Sequence, residues 1–199
     1  MKTKEQLIAF EKEVKQMFLD GKLRSPVHLS GGNEEQLIEI FKEIKPQDWV
    51  FTTYRSHYHA LLKGVPEERL RQWVLSNKSI HFMDSEYKVF SSAIVGGCLP
   101  IALGVAMAIK RKNEKHVLVD INTMRALEDS HLDHVYIFVG DMTAELGVFH
   151  DCWKYAVYND LPITFIIEDY GMSTDTVTQE VWGSKNKFSW WDVIVARKI

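Results

Sequence analysis

Apolar positions along the chain fall into two rhythms. Leu7, Phe10, Val14, Met17 and Phe18 recur at steps of three and four, which predicts an amphipathic helix over residues 3–20, ended by Gly21. A second helix is expected in "NEEQLIEIFKEI", with Asn33 as its cap, Glu34 and Glu35 in its first turn, and Pro46 as its stop. These two make an N-terminal helical segment of about residues 1–45. Val50–Thr52 then reads as a short strand, and Pro66 as a helix start backed by Glu67 and Glu68. "SIHFMDSEYK" reads as a loop. "AIVGGCLPIALGVAMAIK" predicts a helix rich in small residues and apolar on most sides, hence a central one. Val135–Val139 predicts a buried strand, about 143–158 a helix, 163–168 a strand, and "DVIVARK" a last strand. Residues 116–134 fit either a short strand with a helix or an excursion. A strand–helix–strand unit with a short return loop implies parallel pairing and a right-handed crossover. Residues 1–199 are therefore expected to form one domain of class α/β: a mostly parallel β-sheet with helices on both faces.

Composition changes this picture little. Of 199 residues 46% are hydrophobic and 26% charged, as in ordinary globular chains. The net charge of −3 gives no electrostatic case for nucleic acid. No apolar run approaches the roughly 18–20 residues of a membrane span, so no membrane role is expected. The first residues lack the uninterrupted apolar core of a signal peptide. Cys98 and Cys152 stand in apolar helical context, outside any CxxC or Cys/His spacing, as buried free thiols do. A reducing, cytoplasmic location is the expectation.

The chemistry lies at strand ends. "FVGDMTAELGVFHDCW" and "FIIEDYGMSTD" are apolar runs that end in acids, Asp141 in one and Glu168 and Asp169 in the other. Open parallel sheets bind ligands outside the carboxyl ends of their strands. A helix starting near Thr143 would aim free N–H groups at the same place. Carboxylates plus amide donors suit a hard divalent cation carrying a phosphate. Spacing alone leaves a second reading open, with Asp141 a helix N-cap and Asp169 a solvated loop acid. His57, His59 and His81 are candidate catalytic groups, the first two as a hydrogen-bonding wall; each also reads as a structural histidine. Phe149, Cys152, Trp153 and Ala156 form a helical stripe expected in the core or at a subunit contact.

Several segments, in order, resemble the alpha subunit of the thiamine-diphosphate-dependent 2-oxoacid dehydrogenases, the pyruvate, branched-chain and acetoin type. They are "SPVHLSGGNEEQ", "VFTTYRSHYHALLKGVPEERL", "SIHFMD", "AIVGGCLPIALGVAMAIK" and "GDMTAELGVFHDCWKYAVYNDLPITFIIEDYGMSTDT". The resemblance covers roughly residues 24–182 and implies a thiamine-diphosphate-binding fold. Carried over by position, it implies that Asp141 ligates Mg²⁺ through its side chain and Met172 through its main-chain carbonyl. Tyr54 and Arg55 would contact the diphosphate, Ala93 and Val95 the aminopyrimidine, and Gly140, Met142 and Thr143 would offer backbone groups near the diphosphate. Two positions depart from the family pattern. Met142 stands where Gly is usual, and Tyr170 where the second metal ligand, usually Asn, is found. Asp169, one residue earlier, is the candidate substitute, so the metal site is either altered or lost.

The resemblance also implies partners. A beta-type subunit would carry the activating glutamate. The substrate would be a 2-oxo acid, decarboxylated with oxidative acyl transfer to a lipoyl-bearing protein or with acyloin or aldehyde transfer. The chain then reads as a short alpha subunit, active only with its partner. The alternative is a non-catalytic scaffold or regulatory subunit with a degenerate cofactor site.

Overall fold

The computed structural model describes residues 1–116, 133–183 and 193–197. Helix α1 (Lys4–Leu19) opens on a capping box: Gln6 N–H donates to Thr3 Oγ1, and the Gln6 side chain accepts from the Thr3 N–H. Its three–four spacing buries Leu7, Phe10 and Val14, and Gly21 ends it at φ 71°, a conformation that favours glycine. Helix α2 (Glu34–Phe41) buries Leu37 and Phe41. The chain continues through β1 (Trp49–Thr52), α3 (His57–Leu62), α4 (Glu67–Leu75), β2 (Met83–Asp84), β3 (Val89–Ser91) and α5 (Cys98–His116). Then come β4 (Val135–Gly140), α6 (Asp141–Ala144), α7 (Gly147–Tyr158), β5 (Ile163–Asp169), β6 (Met172–Ser173), β7 (Thr176–Val177), α8 (Thr178–Trp182) and β8 (Val193–Arg197). The 116–134 stretch lies, but for its ends, outside the described residues.

Six strands form one sheet in the order β2-β3-β1-β4-β5-β8. All neighbours pair in parallel except the short edge pair β2–β3. Alternate residues of the central strands feed two cores. Val50, Phe138 and Ile166 join α1–α4 on one face; Phe51, Val135, Ile137, Val139, Phe165 and Ile167 join α5 and α7 on the other. Burial on both faces explains why β4 and β5 read as unbroken apolar runs.

Four expectations change. "SIHFMDSEYK" contains half a hairpin rather than only a loop. Asp84 Oδ1 accepts the N–H of Glu86 (2.9 Å) and Tyr87 (3.2 Å), a turn built by a side chain. Helix α5 is amphipathic rather than central: Cys98, Leu99, Ala102, Ala106 and Ile109 face the sheet, while Ile101 and Gly104 are exposed. The helix expected from about 143 is broken, because Leu146 is extended and α7 starts afresh at Gly147. Asn33 makes no side-chain cap; its amide points inward instead.

A buried polar network ties the N-terminal layer together. Glu11 Oε1 accepts the Ser30 N–H (3.0 Å) and meets His57 Nδ1 (3.2 Å), whose Nε2 meets Ser79 Oγ (2.9 Å). Tyr58 donates to Glu34 Oε1 (3.2 Å), and Glu34 accepts the Gly32 N–H. Burial, then the charges of Glu11 and Glu34, keeps the Tyr58 phenol protonated far above its ordinary range. Glu11→Ala leaves a half-buried Ser30 amide and the buried His57 imidazole without this acceptor. The expected loss is about 3 kcal/mol, read as a lower urea midpoint at unchanged slope, and Glu11→Gln, which keeps a carbonyl acceptor, should lose less.

Candidate functional site

From β1 the chain passes to β3 on one side, then returns to β4 on the other. The order reverses beside β1, where sheets of this kind open a crevice at their carboxyl ends. A crevice is found there. Of the residues expected at a site, Tyr54, Arg55, Val95, Gly140, Asp141, Met142, Thr143 and Met172 line it. Ala93 is exposed in the same turn as Val95 without being part of the lining. That turn needs Gly96, at φ 75°, where a Cβ would lie 3.0 Å from Val148 of α7.

Asp141 follows β4 directly and is 4% exposed. Its Oδ2 accepts the Thr178 hydroxyl at 2.6 Å. Burial raises its pKa most; the charge of Asp169 adds to the rise, while the Thr178 hydroxyl and the Tyr170 N–H oppose it. Asp169 is not in the lining but lies close enough for its charge to be felt, and its Oδ1 accepts the Gly171 N–H (3.1 Å). Two carboxylates in mutual repulsion, one of them buried, form a place where a cation would be welcome.

Arg55 supplies the opposite charge. Its guanidinium packs over two rings, 5.3 Å from the Tyr54 centroid and 5.5 Å from that of Tyr170. It has no carboxylate partner within ion-pair distance among the described residues. His28 packs on the far partner, Tyr54, at 4.5 Å; burial first, then the charge of Arg55, lowers its pKa and favours neutral imidazole. Burial, then Glu168, holds the Tyr170 phenol protonated. Met142 turns its sulfur to the Trp182 indole N–H, which donates to it at 3.0 Å.

The histidines go elsewhere. His57 and His59 are fully buried on α3 and absent from the lining, and His81 is exposed beside Phe90. The physical reason is that α3 turns this side into the core, where His57 is engaged by Glu11 and Ser79. His59 lies edge-on to Phe138, with its Nε2 3.4 Å from Glu168 Oε2. Glu168 is the residue that links the two regions. It lines the crevice, is 3% exposed, and its Oε1 accepts the Asn33 amide at 2.8 Å and meets the Tyr170 hydroxyl at 3.5 Å. Asn33 and Thr178 reach the site from 135 and 37 residues away, so spacing along the chain gave no sign of either.

Known proteins match this chain in sequence. The sequence profile of the dehydrogenase E1 component family covers residues 2–183. The chain belongs to the dehydrogenase E1 component family. A chloroplastic pyruvate dehydrogenase E1 component subunit alpha-3 of Oryza sativa subsp. japonica is 30% identical over 80% of the chain and 38% of the relative. The alpha subunit of acetoin:2,6-dichlorophenolindophenol oxidoreductase from Bacillus subtilis is 26% identical over 84% of the chain and 48% of the relative. The pyruvate dehydrogenase E1 component subunit alpha of Zymomonas mobilis is 26% identical over 85% and 46%. The chain thus spans less than half the length of these relatives. Among the described residues no helix of this family member is long and apolar enough to cross a membrane.

The raised pKa of Asp141 carries a sign. A carboxyl that binds its proton more tightly folded than unfolded contributes stability below its unfolded pKa and loses it as pH rises through the folded value. Asp141→Asn removes this titration. Its stability relative to the parent should improve as pH is raised above the ordinary aspartate pKa of about 4, measured by urea unfolding at each pH. A gap independent of pH would contradict the assignment.

Proposed function

We propose that this chain is the alpha-type, diphosphate-side subunit of a thiamine-diphosphate-dependent enzyme acting on a 2-oxo acid, completed by a beta-type partner. The observation that carries the reading is the pairing, in one strand-end crevice, of an Arg55 guanidinium packed over two rings with a buried Asp141 carboxylate. Family membership and relatives named as alpha subunits of pyruvate dehydrogenase and acetoin oxidoreductase support it.

The donor set fits the cofactor's anionic end. Arg55 offers a planar fork with no acid in ion-pair distance among the described residues, Tyr54 a phenol, and Gly140, Met142 and Thr143 backbone groups. Asp141 would hold Mg²⁺, with Asp169 and the Met172 main-chain oxygen as further ligands. Among the described residues no three His, Cys, Asp or Glu side chains form a ready cage. Mg²⁺ asks for no more than one or two carboxylates when phosphate and water complete its shell. The crevice itself encloses ≈ 20 Å³, about one water. A diphosphate held at this crevice would leave the rest of the cofactor outside it, in keeping with a site shared with a partner carrying the activating glutamate.

When bound, thiamine diphosphate supplies the electron sink for loss of CO₂. This chain's part is to orient the tail through Asp141, neutralise it through Arg55, and keep that end dry. The product fragment would pass to a lipoyl-bearing protein or to an aldehyde-type acceptor. A second reading has one observation in its favour. Tyr170, in place of an amide ligand, packs on Arg55, as a retired site kept for scaffolding would allow.

Calorimetric titration of thiamine diphosphate with Mg²⁺ into the chain plus its beta-type partner tests both. Saturable binding is expected, with Asp141→Ala abolishing its Mg²⁺ dependence and Arg55→Ala weakening it about 10–100-fold. No binding by the parent pair leaves only the scaffold reading.

A further inference from the structure

The segment after β5 is fastened in an unusual way. Strands β6 and β7 pair as a small hairpin, Met172 with Val177 and Ser173 with Thr176, and the Thr178 N–H donates to Gly171 O at 3.1 Å. Helix α8 follows and buries none of its residues; Val181 is 51% and Trp182 44% exposed. Apolar burial therefore does not hold this strap down, and segments of that kind open locally at little cost. Among the described residues two side-chain hydrogen bonds join it to the start of α6, and they reach consecutive residues. The Thr178 hydroxyl donates to Asp141 Oδ2 (2.6 Å), and the Trp182 indole donates to Met142 Sδ (3.0 Å). The strap in turn supplies Met172 and Ser173 to the crevice wall.

We propose that Thr178 is a positioning residue: its hydroxyl holds one oxygen of Asp141, so that seating the 172–182 strap and presenting the other oxygen to the crevice are a single event. The inference rests on the role given to Asp141 above. A carboxylate on one methylene swings about two torsions, and a short hydrogen bond to one oxygen removes most of that freedom before any ligand arrives. A ligand that grips the oriented carboxylate then favours the seated strap, and the seated strap favours the ligand. Thr178→Val keeps the shape and removes the donor; Thr178→Ser keeps the donor.

The test uses the full chain with its beta-type partner and two readouts: backbone hydrogen exchange over residues 171–183, and calorimetric titration of Mg²⁺ with thiamine diphosphate. Thr178→Val should speed exchange across the strap and weaken Mg²⁺-dependent binding, each about ten-fold. Thr178→Ser should stay within about two-fold of the parent on both. A Thr178→Val protein that matches the parent on both readouts overturns the inference and leaves the proposed function standing. Tighter binding by Thr178→Val also overturns it, since the hydroxyl would then be competing with the ligand. If the parent pair binds no cofactor, the proposed function falls, and so does any presentation of Asp141 to that cofactor.

Discussion

A parallel sheet covered on both faces leaves polar chemistry only one exit, the ends of its strands. In this chain β1, β4 and β5 are enclosed by α1–α4 on one side and by α5 and α7 on the other. Between those layers the central strands present mostly apolar side chains, as parallel sheets buried on both faces do. Charge is thereby driven to Arg55, Asp141 and Glu168, three tips that meet because the strand order reverses beside β1. The site is a product of topology first and of residue choice second.

The tips were legible for that reason. Unbroken runs such as "VYIFVG" and "ITFIIED" announce strands buried on two faces, and an acid at the end of each announces where burial stops. The expectations that changed share a different cause: the deciding partner is remote in sequence. Asn33 has the composition of a cap, yet Glu168 competes for its amide from the other end of the chain and wins. His57 and His59 look like site histidines in a polar cluster, yet Glu11 and Phe138 absorb them. The break between α6 and α7 carries no proline to betray it. Local periodicity reports which face of an element is apolar; it does not report which buried acid a given amide will find.

Tyr170 illustrates how one substitution redistributes a site. The phenol ring joins Tyr54 in packing on the Arg55 guanidinium, so the cation rests on aromatic faces, with no carboxylate in ion-pair distance among the described residues. Its hydroxyl turns to Glu168, whose other oxygen faces His59. A position that the resemblance implied for a metal ligand thus packs on a cation already present in the chain.

One further consequence follows from where the tips come from. Tyr54, Ser92, Asp141, Glu168 and Met172 belong to segments that become neighbours only when distant stretches have paired in parallel. Such non-local pairing has high contact order and completes late in folding. No fragment of this chain short of the assembled sheet possesses the crevice. Anything that occupies it therefore recognises finished molecules alone, and by mass action it lengthens the life of the native state as a whole rather than of one element.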